Sequence, residues 1–160
     1  MSKGAVQVLV WADPDDGNSA ILMTVGMSRV PMKVPNGQLC VARDPRVELF
    51  MYAKRSELPV VASLLCDLAD YPRAQGTFVH WSHVVRIGRP LVPGASVDAV
   101  YFSFPPVESS DFSTLKWKKA RIDILWVVPI TEAERVLFES AGADALEELL
   151  EVEGVEVADL

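Results

Sequence analysis

Hydrophobic and polar positions fall into short β-like runs, then one helical stripe, then β-like runs again, and finally two helical segments. Val6-Gln7-Val8-Leu9-Val10 predicts a strand, and Ile21 to Val25 a second. Between them Asp13-Pro14-Asp15-Asp16-Gly17-Asn18 is a dense set of turn formers, so the pair predicts a hairpin. Gly26 to Arg46 holds Pro31, Pro35, Asn36-Gly37 and Pro45 and reads as loop with at most one short edge strand. Val47 to Ala53 predicts a third strand.

Ser56 is a candidate helix cap, and Pro59 suits a first turn, where its missing N–H costs no bond. Val60, Val61, Leu64, Leu65 and Leu68 then lie at the spacing of one helical stripe, with Pro72 predicted to stop the helix after Tyr71. Thr77 to Ile87 and Ser96 to Phe104 predict strands, separated by a loop with Gly88, Pro90, Pro93 and Gly94. Arg121 to Pro129 is apolar on both faces from Ile124 on, which predicts a central strand covered on both sides. Thr131-Glu132-Ala133-Glu134 has capping-box spacing and opens a helix to about Ser140. Gly142 interrupts, and Asp144 is placed to cap a last helix carrying Ala145, Leu146, Leu149 and Leu150. Strands mixed with about three helices, and few strand–helix–strand repeats, predict an α+β fold with a mixed, mainly antiparallel sheet.

At 160 residues the chain fits one domain, and its 50% hydrophobic content is that of a globular protein. The reading is therefore a single domain over 1–160, with a core of about 5–152 and an acidic tail at 153–160. The formal charge of −7 disfavours broad attachment to nucleic acid or an anionic membrane. It is unevenly spread: residues 131–160 hold ten acids and one base, while the first 130 carry 14 bases and 12 acids. The acidic end would suit a basic protein partner. Cys40 and Cys66 are too few for a disulfide framework and read as reduced thiols of a cytoplasmic protein. No apolar run approaches the length of a membrane helix, and the N-terminus lacks the pattern of a signal peptide.

Candidate chemistry is sparse. His80 and His83 are the two histidines, and on one extended strand, residues three apart point to opposite faces, which argues against a shared metal. Gly26-Met27-Ser28 follows a strand but is not a nucleophile elbow; Gly26 suits a backbone with positive φ and Ser28 a loop hydrogen bond. Phosphate-loop and dinucleotide motifs are absent, so no cofactor is expected. Lys116-Trp117-Lys118-Lys119-Ala120-Arg121 has the composition of a phosphate-gripping, base-stacking segment, but in an acidic chain beside a strand it reads as the guard of a sheet edge. A small hydrolase using Ser28 or the His80/His83 region is the rival from the enzyme class, and a structural or regulatory module of a larger assembly is a third option.

Taken in order, several blocks resemble the suppressor of fused domain family. Leu22-Met23-Thr24-Val25-Gly26-Met27-Ser28 with Pro31-Met32 is similar to its "LvTsGMS…pM" signature. Val47-Glu48-Leu49, the helix Leu64 to Tyr71, and Gly76-Thr77-Phe78 with Trp81-Ser82-His83 resemble its next blocks. Phe104-Pro105-Pro106, Val127 to Glu134 and Gly142 to Leu146 resemble the remaining ones. The resemblance spans about residues 5 to 152. It implies a non-catalytic domain that binds proteins. Animal members of the family hold a transcription factor inactive in the cytoplasm, while bacterial members are often encoded beside secreted toxins and resemble immunity proteins. This chain resembles the bacterial kind, without the second domain of animal members or the helical segment that usually precedes the first strand. The partner groove of animal members maps by resemblance onto Tyr71, Phe78 and Ser82-His83, with one residue fewer between Tyr71 and Phe78. Ser82 stands where those members have Asp, so that charged contact is missing. Trp81 joins the candidate contacts as an interface aromatic. Gly26, Met27 and Ser28 are expected to serve structure. The expected partner is a protein, such as a basic toxin, neutralised by covering its surface.

Overall fold

A computed structural model describes residues 5–40, 42–91, 93–105 and 112–152. The predicted acidic tail at 153–160 lies outside the described residues. Seven strands form one sheet: β1 (Gln7–Ala12), β2 (Ser19–Val25), β3 (Val47–Lys54), β4 (His83–Arg86), β5 (Val97–Ser103), β6 (Thr114–Trp117) and β7 (Ala120–Thr131). Three α-helices accompany it: α1 (Leu58–Gln75), α2 (Glu132–Ala141) and α3 (Ala143–Val152). The order across the sheet is β1-β2-β3-β7-β5-β4, with β6 pairing β7. Among the described residues only β3 and β7 run parallel; every other pairing is antiparallel. The fold is α+β, as the pattern predicts.

Alternation along the inner strands feeds two cores, because successive side chains leave a strand on opposite faces. Val47, Leu49, Met51, Val100, Phe102, Leu125 and Val127 join Val61, Leu64, Leu65 and Leu68 of α1 on one face. Phe50, Tyr52, Ala99, Tyr101, Ile124, Trp126, Val128 and Ile130 take the other, where Leu146 of α3 is fully buried among them. The capping box of α2 is complete: Thr131 Oγ1 accepts from the Glu134 amide, and the Glu134 carboxylate accepts from the Thr131 amide. Among the described residues no helix is long and apolar enough to cross a membrane.

Several local expectations change. Ser56 sits in a one-turn 3-10 segment and does not cap α1; Glu57 holds the cap position without a side-chain bond. Pro59 in the first turn removes one of the amides a cap would serve. Pro72 lies inside α1 and does not end it: the helix runs to Gln75 and stops at Gly76 in the left-handed region, φ 62°. A proline this near the C-terminus forfeits one backbone bond, and its own carbonyl accepts from the Thr77 amide at 2.9 Å. Val60 is 37% exposed and lies at the margin of the stripe, which continues instead through Ala69 and Pro72. The predicted strand Thr77–Ile87 shrinks to His83–Arg86. Phe78 and Val79 are both buried in the core beneath α1, which neighbours on a strand alternating between faces do not share. Asp144 falls in the first turn of α3, which already begins at Ala143. Thr114 to Trp117, for which the pattern predicts no strand, forms β6, so the basic run forms the β6–β7 hairpin.

The Gly26-Met27-Ser28 turn closes around a buried carboxylate. Glu48 Oε1 accepts from the Gly26 amide (3.0 Å), the Ser28 amide (3.0 Å) and the Ser28 hydroxyl (2.6 Å). Its Oε2 accepts from Thr24 Oγ1 (2.7 Å) and the Met27 amide (3.3 Å). Gly26 reaches φ 104°, and a Cβ there would meet the Arg29 guanidinium at 3.3 Å. Successive amides converging in this way form an anion-binding nest, here filled by the chain's own side chain. Glu48→Gln turns an NH2 group toward these donors and should lower stability by about 2–3 kcal/mol. Urea unfolding checks this; a midpoint equal to wild type would show that the carboxylate is not the anchor of the turn.

Candidate partner-binding groove

Four of the five predicted contact residues come together. Tyr71, near the end of α1, joins Phe78, Ser82 and His83 in lining a hollow of about 570 Å³ beside β4. Its further walls include Leu39 from the long loop, Arg86, and Arg135, Phe138 and Glu139 of α2. Phe78 is also core, 5% exposed, so it supports the groove floor more than it offers surface. Trp81 turns elsewhere. Its indole Nε1 donates to Glu147 Oε1 at 2.9 Å, and its ring stacks on Phe104 at 6.5 Å between centroids.

Local backbone geometry explains the split. After Gly76 the chain runs outside any helix or strand through Thr77 to His80 and then turns. Ser82 adopts φ 65° and donates its amide to the Phe102 carbonyl at 2.9 Å, while the His83 amide donates to the His80 carbonyl at 3.2 Å. A left-handed serine costs about 1–2 kcal/mol, which the surrounding bonds offset. The reversal separates the histidines. His83 enters β4 with its ring edge-on to Phe78 at 4.9 Å, whereas His80 Nε2 meets Asp123 Oδ2 at 3.1 Å. They therefore do not occupy opposite faces of one strand, the premise used in the sequence argument. Among the described residues no group of three or more His, Cys, Asp or Glu side chains is placed to hold a metal ion.

Burial pushes the His83 imidazole below its ordinary value and the nearby His80 adds to this, against a hydrogen bond with the Phe78 backbone. Burial pushes the Asp123 carboxyl up, but hydrogen bonds from His80 and Arg121 outweigh it and hold the group below the usual range. Burial and then the Glu147 hydrogen bond push the Tyr101 phenol well up. Glu147 Oε1 accepts from Tyr101 Oη at 2.7 Å and Ser103 Oγ at 3.2 Å as well as from Trp81, so this carboxylate ties α3 to the sheet. Arg135 is buried between Glu139 (2.7 Å) and Glu132 (3.6 Å), and its Nε has no hydrogen-bond partner among the described residues. Arg135 stood out in sequence as the one base of an acidic segment; nothing there signalled Leu39, Phe138 or the Glu147 hub.

Ser28 donates to Glu48 and His80 bonds Asp123, so these residues do not form the serine–histidine pair a hydrolase would use.

Three solved structures share this fold. The putative SUFU (suppressor of fused protein) homolog from Neisseria gonorrhoeae superposes with TM-score 0.64 at 16% identity, covering 96% of this chain and 84% of its own. A Sufu–Fu complex gives 0.68 at 12%, covering 91% of this chain and 68% of its own. Drosophila Suppressor of Fused gives 0.65 at 11%, covering 91% of this chain and 38% of its own. The family model for suppressor of fused protein (SUFU) matches residues 3–160, and the chain belongs to that family. No curated protein matches it.

His83 yields a pH prediction. Its folded value lies below the unfolded one, near 6.5, so the folded state resists a proton that the unfolded state accepts. The stabilisation is present above pH ~6.5 and is lost as pH falls through the folded value. Urea midpoints at pH 7 and pH 5 should differ less in His83→Asn than in wild type. An unchanged difference would remove His83 as the cause.

Proposed function

We propose that this chain is a non-catalytic protein-binding domain that acts by covering its partner's surface, and more finely that it is an immunity or regulatory protein neutralising a toxin. One observation carries the reading: Tyr71, Phe78, Ser82 and His83 converge on a single groove at a sheet edge. Among the described residues β4 pairs only with β5, leaving its other side open to an added strand of a partner. Tyr71 supplies an aromatic anchor and the His83 ring a second. Membership of the family supports it, as does the Sufu–Fu complex, in which a protein of this fold holds another protein. Glu132, Glu134, Glu139, Asp144, Glu147, Glu148 and Glu151 make α2 and α3 strongly acidic, which favours a basic partner such as a nuclease toxin. With Cys40 and Cys66 unpaired, the reading places the protein in the cytoplasm.

The test is coexpression with proteins encoded beside it, followed by pull-down and a survival assay. A neighbour is expected to be retained and its toxicity suppressed. Tyr71→Ala combined with His83→Ala should weaken that affinity at least about tenfold, or ~1.4 kcal/mol, measured at a temperature where circular dichroism shows the variant folded. Retention of no neighbour and no protection would overturn the reading. So would esterase or phosphatase turnover abolished by Ser28→Ala.

A further inference from the structure

A second surface, separate from the groove, has a composition at odds with the rest of the molecule. Two hollows of about 570 and 370 Å³ share Gly26 and Arg29. The larger also takes in Arg46, Lys116 and Trp117, the smaller Lys33 and Arg73, so five cations gather around one turn. The carboxylate in their walls is that of Glu48, whose oxygens are already occupied by Thr24, Gly26, Met27 and Ser28. Arg46 Nη1 donates to the carbonyls of Ser28 (2.6 Å) and Arg29 (2.8 Å), and Arg73 Nη2 to that of Met27 at 3.5 Å. The internal anchor thus also pins guanidinium groups in place. None of the five cations forms an ion pair with a carboxylate among the described residues.

The β6–β7 hairpin completes the surface. Trp117 is 67% exposed and Leu115 44% exposed, two residues apart on β6 and therefore on the same side of the strand. Lys118, at the hairpin tip, holds φ 56°, where glycine or asparagine sits at lower cost. Strain kept at an exposed tip, beside a bare tryptophan, argues for a use beyond folding. Exposed tryptophan and arginine are the residue types that dominate binding energy at interfaces.

We propose that this cleft docks an acidic segment of a partner protein, its carboxylates on the Arg29, Arg46 and Lys116 side chains and an apolar side chain on Trp117. Charge complementarity selects the occupant: a locally positive cleft in a chain of net −7 concentrates anions there and repels them elsewhere. For the same reason a peptide is favoured over nucleic acid, since a chain of net −7 repels a long uniform polyanion that extends beyond the cleft. The proposal goes beyond the groove reading and does not depend on it.

The test is NMR titration of the isotope-labelled full chain with hexaglutamate, hexalysine and a short oligothymidine. Hexaglutamate is expected to shift the Trp117 indole N–H and the Lys116 to Lys119 amides, with hexalysine leaving them unmoved. Charge reversal at Lys116→Glu and Arg29→Glu should weaken hexaglutamate binding at least about tenfold, whereas Tyr71→Ala in the groove should not. Absence of any hexaglutamate shift at millimolar concentration overturns the proposal. Tighter binding of oligothymidine overturns it in favour of nucleic acid. Salt-sensitive self-association in sedimentation, broadening the same resonances, overturns it in favour of a second copy.

Discussion

The parallel contact between β3 and β7 is where both faces of the sheet lose water, and the placement of the remaining elements follows from that burial. Val47 pairs with Asp123 and Phe50 with Trp126, so odd and even positions of two neighbouring strands supply two separate cores. A strand that is apolar on both faces is stable only when both are covered. One cover is α1; the other is the α2–α3 pair that β7 itself leads into through the Thr131 cap. Acids are concentrated on α2 and α3, and cations gather around the Gly26 turn.

Two carboxylates, Glu48 and Glu147, then do work that apolar packing cannot. Each is surrounded by donors from elements distant in sequence, and each fixes a segment whose backbone alone would have several options. Glu48 holds the turn after β2 and, through its neighbours, the carbonyls that Arg46 and Arg73 engage. Glu147 binds Trp81, Tyr101 and Ser103, so α3 is latched to β5 and to the turn that precedes β4. The groove exists because that turn is held: Ser82 reverses the chain, Trp81 goes to one side and His83 to the other.

The serine in the family-like signature is hydrogen-bonded to a carboxylate that stabilises a turn, and the histidine nearest a carboxylate is set into a cluster with Arg121 and Thr114. The buried carboxylates of Glu48 and Asp123 are engaged by hydrogen bonds, while a hollow lies beside the edge strand β4 and cations are left exposed at the basic hairpin.

Local periodicity and end signals were readable from the chain alone: the first hairpin, β3, the apolar stripe of α1, the two-faced β7 and the Thr131 box each depend on near neighbours. Where they failed, a distant partner had decided. Phe78 and Val79 left the strand pattern because both entered the core beneath α1, Pro72 stayed helical because its ring was buried and its carbonyl still had a donor, and Thr114 to Trp117 became a strand because β7 was there to pair with. Of the groove, Tyr71, Phe78, Ser82 and His83 were legible through family likeness, but their meeting with Leu39, Arg135 and Phe138 was not. Side-chain identity and spacing determine which faces of each element shun water; which faces then meet, and which carboxylate finds which amide, depends on contacts between residues dozens of positions apart, and only the folded chain brings those together.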